Sequence, residues 1–189
     1  MLVATSDFFR AACEERWAEH DGTIKLPEQD PDTFNRYIAL AYYGHVFARS
    51  GDDSGKVDEG NQWKSMIRLY LLADFLAAER LKNTVIDAIL ERNQARKKFP
   101  AYCAAFVYER TAPQSPLRRL IVDFHTLAGR GDGFEGEYGD RYGPPEFLLD
   151  VILAFKAGGA ELWSKKRKCP GQKDRCHYHE HADGSKCED

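Results

Sequence analysis

The chain has 189 residues, a formal net charge of −3 at pH 7, 43% hydrophobic residues and 30% charged residues. The composition is typical of a globular protein, and the length is enough for one good hydrophobic core or two small ones. The slightly acidic balance argues against a general nucleic-acid binder, because such proteins usually carry a strong basic excess. No apolar run approaches the ~20 residues that span a bilayer, so we expect no membrane partner.

The first residues, MLVATSDFFRAAC, have no basic lead and only a short apolar segment, which is not typical of a secretory signal. We therefore expect a reducing compartment, the cytoplasm or the nucleus. In such a compartment the five cysteines are expected to be thiols or metal ligands and not a disulfide framework. They are Cys13, Cys103, Cys169, Cys176 and Cys187.

A first helix is predicted to begin at Ser6 or Asp7, because both residue types cap helices, and to end at Gly22. The four residues 23–26, TIKL, follow it. Two of them are β-branched, and the run is bounded by Gly22 and Pro27. These features predict a short strand.

The residues after this strand predict a helix with clear ends. Asp30 suits the N-cap, Pro31 suits the first helical position and Gly44 suits the end. Apolar side chains recur at i, i+3, i+4, i+7 and i+8, which predicts one core-facing stripe. Its members are Phe34, Tyr37, Ile38, Ala41 and Tyr42.

Five further helices are predicted after a polar loop over residues 45–62, and the third of them is the short apolar segment AYCAAFVYERT. The first two of them each have an inward apolar face. These residues are Ile67, Leu71, Phe75 and Leu76 in the first helix and Val85, Ile86, Ile89 and Leu90 in the second. Beyond Pro100, Ser115 and Pro116 start a helix with Leu117, Leu120, Ile121 and Phe124 inward. The last helix, PPEFLLDVILAFKAGG, starts on proline and ends on glycine.

Three blocks, SDFFRAA, IKLPEQDPDTFNRYIALAYYG and LYLLADFLAAERLKNTVIDAI, resemble in order and spacing the second half of a BTB (POZ) domain. Within that family the chain resembles the fungal short BTB proteins most. Their helical extension is similar to two later segments, SPLRRLIVDFH and PPEFLLDVILAF. The resemblance therefore covers residues 2–155. It implies an α+β fold, mostly α-helical, in which a helical cluster packs around a small β-sheet. The expected regions are a partial BTB domain at 1–97, a helical extension at 98–160 and a polar Cys/His-rich tail at 161–189.

The family's domain begins with a β-hairpin and a helix that carry much of its homodimer surface. This chain starts within that first helix, at LVATS, so we expect an internal start or a lost upstream exon. Without the hairpin a homodimer of the family's type lacks part of its interface, and an uncovered sheet edge favours aggregation or a substitute partner.

The resemblance implies a non-enzymatic protein–protein interaction module that pairs with itself or serves as an adaptor for a cullin-type ubiquitin ligase. Some BTB adaptors insert a hydrophobic-x-Glu triplet beside the cullin, and Trp17 and Glu19 stand at the matching place. The alternative is a tryptophan packed on its own domain and a surface glutamate.

Catalysis is not predicted. Cys13 and Cys103 lie on apolar helices, where a buried and inert thiol is the usual finding, and His125 is expected to pack beside Phe124. No local pattern pairs a nucleophile with a base. The glycine-rich stretch GRGDGFEGEYG follows a helix, whereas a phosphate-binding loop follows a strand.

The tail carries six candidate zinc ligands within nineteen residues, namely Cys169, Cys176, His177, His179, His181 and Cys187. Thiolates and imidazoles are zinc's preferred ligands, and four of them suffice for a structural site. Alternate residues of an extended chain point the same way, so the three histidines are expected to converge. The alternative is a solvated tail in which these residues occur by chance.

The basic cluster KKRK at residues 165–168 suits a nuclear import signal or a phosphate contact, but it also suits a solvated helix end. With the tail it supports a second hypothesis, a zinc-binding nuclear protein whose tail contacts nucleic acid or a nuclear partner. The acidic overall charge weighs against contact with nucleic acid.

Overall fold

The computed structural model describes residues 2–14, 23–26, 28–46, 59–96, 103–128, 143–159, 168, 170–172, 174–181 and 184–187, without the side chains of 59–61, 128 and 171. The α-helices are α1 (Leu2–Thr5), α2 (Asp7–Ala12), α3 (Pro31–Tyr43), α4 (Glu59–Phe75), α5 (Glu79–Arg96), α6 (Ala104–Tyr108), α7 (Pro116–Asp123) and α8 (Pro145–Gly158). A π-helical turn, Phe124–Ala128, continues α7, and 3₁₀ turns lie at Pro170–Gln172 and Arg175–His177.

Two compact units make up the chain. The first contains Met1–Ile89 with Glu180–Ser185, and the second contains Leu90–His179 with Lys186–Asp189. Among the described residues, no helix combines the length and apolar character needed to cross a bilayer.

The predicted α+β fold with a small β-sheet is wrong, because none of the residues that the structure describes forms a strand. Residues 23–26, the predicted strand, are irregular, and Ile24 is 38% exposed. A strand needs a neighbour to pair its backbone N–H and C=O groups. The described part of the chain supplies no such neighbour, so β-branched composition alone does not produce a strand here.

The predicted starts of α2 and α3 are confirmed. Ser6 accepts a hydrogen bond from the N–H of Phe9 at 3.2 Å, which satisfies one of the free donors at the start of α2. Asp30 accepts from the N–H of Thr33 at 2.9 Å and from its hydroxyl at 2.6 Å. These bonds to Thr33 lower the pKa of Asp30, because they stabilise its carboxylate.

The predicted end of α3 at Gly44 is also confirmed. Gly44 has a φ of 73° in the left-handed region, and its N–H donates to the carbonyl of Leu40 at 2.8 Å. This conformation costs glycine little because it has no Cβ.

Two aromatic residues that were predicted to face the core are exposed instead. Tyr37 is fully buried, but Tyr42 lies about 140° from it around the helix and is 59% exposed. Phe75 ends α4 and is 54% exposed, with its ring 5.7 Å from that of Phe8. Tyr42, eight positions after Phe34, therefore lies off the buried face of α3. Leu40 lies on that face instead.

The apolar faces of α5 and α7 are confirmed. The predicted side chains are all buried, and they are Val85, Ile86, Ile89 and Leu90 on α5 and Leu117, Leu120, Ile121 and Phe124 on α7 and the turn after it. Within the second unit, Phe147 of α8 is fully buried and packs edge to face on Tyr108 and His125, with ring centroids 5.4 Å and 4.8 Å apart. Within the second unit, α6, α7 and α8 therefore form one apolar core.

Candidate metal centre

Residues 168–187, here called the C-terminal segment, contain one fully buried aromatic side chain. Tyr178 has no exposed surface, and its hydroxyl donates to the carboxylate of Asp123 on α7 at 2.6 Å. Burial, and then the charge and hydrogen bond of Asp123, raise the pKa of Tyr178, so the phenol keeps its proton. A fully buried tyrosine does not fit the alternative of a solvated tail.

The backbone of Glu180 is bound by the side chain of Asn83 on α5. The Glu180 N–H donates to the Asn83 amide oxygen at 3.0 Å, and the Glu180 carbonyl accepts from the Asn83 amide nitrogen at 2.8 Å. Both backbone groups of this residue are therefore satisfied without a strand or a helix.

The side chain of Glu180 takes part in an ion-pair network. The ammonium of Lys82 donates to the carboxylate of Glu180 and to that of Asp74, the latter at 2.7 Å. Burial by itself lowers the pKa of Lys82, whose side chain is 9% exposed, but the bonds to the two carboxylates outweigh burial and raise it. Lys82 therefore stays charged and holds Glu180 in place.

Three of the predicted ligands come together in this segment. The ligand atoms of Cys176, His181 and Cys187 all lie within 4.8 Å of one another, and all three residues are partly buried. The N–H of Cys187 donates to the sulfur of Cys176 at 3.1 Å. Cys176 lies in the 3₁₀ turn Arg175–His177, and its own N–H donates to the carboxylate of Asp174, the N-cap of that turn, at 3.0 Å.

The other predicted ligands are placed differently. His179 lies beside the cluster, with its Nδ1 3.1 Å from the sulfur of Cys187. His177 is directed to Asp123, with its Nε2 3.3 Å from the carboxylate. It belongs to the 3₁₀ turn, so the alternation of an extended chain does not include it. Cys169 lies outside the described residues.

This arrangement can hold a metal ion. A tetrahedral zinc centre with bonds of about 2.0–2.3 Å has its ligand atoms about 3.3–3.8 Å apart. The ligand atoms of Cys176, His181 and Cys187 are at most 4.8 Å apart, which exceeds the upper end of this zinc spacing by only ~1 Å. Two cysteine sulfurs and an imidazole are soft to borderline ligands, which favours zinc and related transition metals over calcium or magnesium.

The other residues considered in the sequence analysis fall into two groups. Trp17, Glu19 and the glycine-rich stretch at 129–142 lie outside the described residues, as does most of the basic cluster, of which only Lys168 is described. Cys103 is buried as expected, but Cys13 is exposed. His125 is 7% exposed, and its Nδ1 lies 2.8 Å from the carbonyl of Ile121, in agreement with a packing role.

No family model matches the chain, and comparisons with curated proteins and with solved structures give no match either. The BTB resemblance therefore stays a prediction.

Proposed function

We propose that the C-terminal segment is a zinc-binding module with a structural role in a non-enzymatic protein. The observation that carries this proposal is the cluster of Cys176, His181 and Cys187. Thiolate and imidazole are the ligands found in structural zinc sites, where four protein ligands close the coordination sphere.

His179 is the proposed fourth ligand. Its Nδ1 is already 3.1 Å from the sulfur of Cys187, near the spacing of two ligands on one zinc ion. With Cys176, His181 and Cys187 it completes a Cys₂His₂ set with the spacing C-x₂-H-x-H-x₅-C. A site closed in this way has no open position for a substrate or an activated water.

The contacts around the two histidines support a preformed site. Tyr178, which immediately precedes His179, is buried and bonded to Asp123. Glu180, between His179 and His181, has its backbone bonded to Asn83. Because these neighbours are fixed, the metal has less chain to order when it binds, and more of its binding energy stabilises the folded segment.

Zinc content of the full chain tests the proposal. The protein is purified from zinc-supplemented cells, dialysed against metal-free buffer and measured by elemental mass spectrometry, with about one zinc ion per chain expected. Replacement by cobalt(II) should give the absorption of a tetrahedral site together with sulfur-to-cobalt charge transfer, which reports thiolate ligation directly.

Matched cysteine variants locate the site. Cys176→Ser and Cys187→Ser are each expected to lose bound zinc, whereas Cys13→Ser, which changes an exposed cysteine of the first unit, should keep it. A wild-type chain without zinc, or stoichiometric zinc in the Cys176→Ser/Cys187→Ser double variant, would contradict the proposal.

Single variants of the neighbouring candidates identify the fourth ligand. His179→Ala is expected to weaken zinc affinity, and His177→Ala, which changes the residue directed to Asp123, should leave it nearly unchanged. If Cys169→Ser has the larger effect, the fourth ligand is Cys169 and the zinc proposal stands with a different ligand set.

As a wider role we propose the protein-interaction function that the BTB resemblance implies. Its support is the order and spacing of the three sequence blocks, and Trp17 and Glu19 are its predicted contacts to a cullin. An affinity pull-down from cell extract tests this role. Retention of a cullin by the wild type and its loss in Trp17→Ala and Glu19→Lys would support it, and retention of no cullin would count against it.

A further inference from the structure

Helix α8 exposes four aliphatic side chains on one face. Leu148, Leu149, Ile152 and Leu153 are 38%, 55%, 62% and 50% exposed. At 100° per residue they fall within an arc of about 140° on the helix surface. We call these four residues the α8 apolar face.

The opposite side of α8 explains why this face is turned outward. Phe147 and Val151 are buried in the second unit, and Phe147 packs on Tyr108 and His125. Asp150 accepts a hydrogen bond from the Tyr108 hydroxyl at 2.6 Å. Turning α8 to bury its outer side chains would expose Phe147 and break this bond, so the helix orientation is determined by its inner contacts.

We propose that the α8 apolar face binds the same face of a second copy of this chain, with the two helices antiparallel. A two-fold axis between residues 150 and 151 then places Leu148 opposite Leu153 of the second copy, and Leu149 opposite its Ile152. Each aliphatic side chain of the face meets another, as a self-complementary two-fold interface requires.

The charges on α8 select this partner and this direction. Glu146 and Lys156 are exposed near opposite ends of the helix. In the antiparallel pair Glu146 lies close to Lys156 of the second copy, with an offset of about 1.5 Å along the axis. A parallel pair would place like charges together, and antiparallel helix dipoles also attract.

A lipid surface fits this face less well. Helices that lie on membranes carry several Lys or Arg residues beside their apolar face. In α8 the basic residue is Lys156, balanced by Glu146 and Asp150.

The α8 apolar face is formed by four side chains and is small beside the ~800 Å² per partner of a standard interface. We therefore expect a dimer with a Kd in roughly the micromolar range.

Sedimentation velocity of the full, zinc-saturated chain from ~1 to ~200 μM tests the proposal. The wild type should pass from monomer to dimer, and Ile152→Glu should raise the dimer Kd at least ~30-fold, because it places a charge at the centre of the interface. Tyr43→Glu is the matched control, because Tyr43 is 68% exposed on α3, and its dimer Kd should stay within about twofold of the wild-type value. Circular dichroism and thermal melting confirm that each variant is folded.

A charge exchange tests the antiparallel direction. Glu146→Lys and Lys156→Glu should each raise the dimer Kd by roughly 3–10-fold, and the double variant should return to within about twofold of the wild type. The proposal is overturned by a monomer at all concentrations, by a dimer insensitive to Ile152→Glu, or by single variants without effect. It is also overturned if a monomeric chain binds phosphatidylcholine/phosphatidylserine vesicles through this face.

Discussion

The helical cores and the C-terminal segment are held together by different physical means. Helix α5 buries Val85, Ile86 and Ile89 almost completely, and its stability comes from apolar surface removed from water. Among the described residues of the C-terminal segment Tyr178 is fully buried, and hydrogen bonds and ion pairs from Asp123, Asn83 and Lys82 contribute to holding the segment in place.

This difference shows how a polar segment can be ordered beside an apolar core. The hydrogen bonds satisfy its backbone, but each contributes only about 0.5–1.5 kcal/mol net. The proposed zinc ion would supply the remaining stabilisation, because the free energy of metal binding to a site that exists only in the folded state adds to the free energy of folding. Changes in the helical cores should therefore unfold the chain, and changes in the segment should act locally.

The largest effect is expected from truncation in the helical core. Ile86→Ala removes most of a side chain that is fully buried and should cost roughly 2–5 kcal/mol of unfolding free energy, from lost apolar burial and the cavity left behind. Urea unfolding followed by circular dichroism measures it. Ile152→Ala, at an exposed position, is the control and should change little at low protein concentration. A loss below ~1 kcal/mol for Ile86→Ala would contradict the assigned core.

Removal of zinc should affect the C-terminal segment and spare the helices. At free zinc a hundredfold above its Kd, the bound ion stabilises the segment by about 2.7 kcal/mol, which a chelator removes. We expect faster trypsin cleavage after Arg175 and Lys186 with little loss of helical circular dichroism. Cooperative loss of the whole helical signal on chelation would show that the segment and the cores do not unfold separately.

Gly143→Ala is predicted to strain the start of α8. Gly143 has a φ of 92°, and a Cβ there would lie 2.9 Å from the ring of Phe147 and 3.1 Å from the Cβ of Ala104. A left-handed backbone and a close contact together should cost roughly 1–3 kcal/mol. Thermal melting measures the loss, and Gly44→Ala, which has a positive φ but open space around the added Cβ, separates backbone strain from steric contact.

Tyr178→Phe tests the hydrogen bond that holds the segment to α7. It keeps the ring but removes the donor to Asp123, so a loss of about 1–2 kcal/mol is expected. Because the pKa of Tyr178 is raised in the folded chain, wild-type stability should fall as the pH rises above ~10, where the unfolded phenol ionises. The variant should fall less steeply over that range, and identical alkaline slopes would contradict the assigned pKa shift.

The smallest effect is expected from the titration of His125. Burial lowers its pKa, and this outweighs the opposing bond to the Ile121 carbonyl, so the folded chain holds a neutral imidazole. Stability should be constant above pH ~6.5 and fall as the pH drops below it, with a slope of at most about 1.4 kcal/mol per pH unit. His125→Gln should flatten this slope in urea unfolding between pH 5 and 7 with a chelator present, which removes the zinc-linked titration. An unchanged slope would assign the acid sensitivity to another group.

How much could be predicted from the sequence differs between the fold and the site. The starts of α2 and α3 and the end of α3 follow from side-chain and backbone bonds to residues three or four positions away. The six candidate ligands were also visible as residue types. Their geometry was not, because the 3₁₀ turn at Arg175–His177 redirects His177 to Asp123, more than fifty residues earlier in the chain.

By itself the sequence determined the helices with local capping signals, such as Asp30, Pro31 and Gly44, and the supply of sulfur and imidazole ligands near the C-terminus. Only the tertiary structure decided that residues 23–26 form no strand, that Tyr42 and Phe75 face solvent, and that Cys176, His181 and Cys187 lie together. The physical reason is the range of the interactions. Caps act within one helical turn, whereas strand pairing, burial and the placement of Tyr178 against Asp123 depend on residues far apart in the chain.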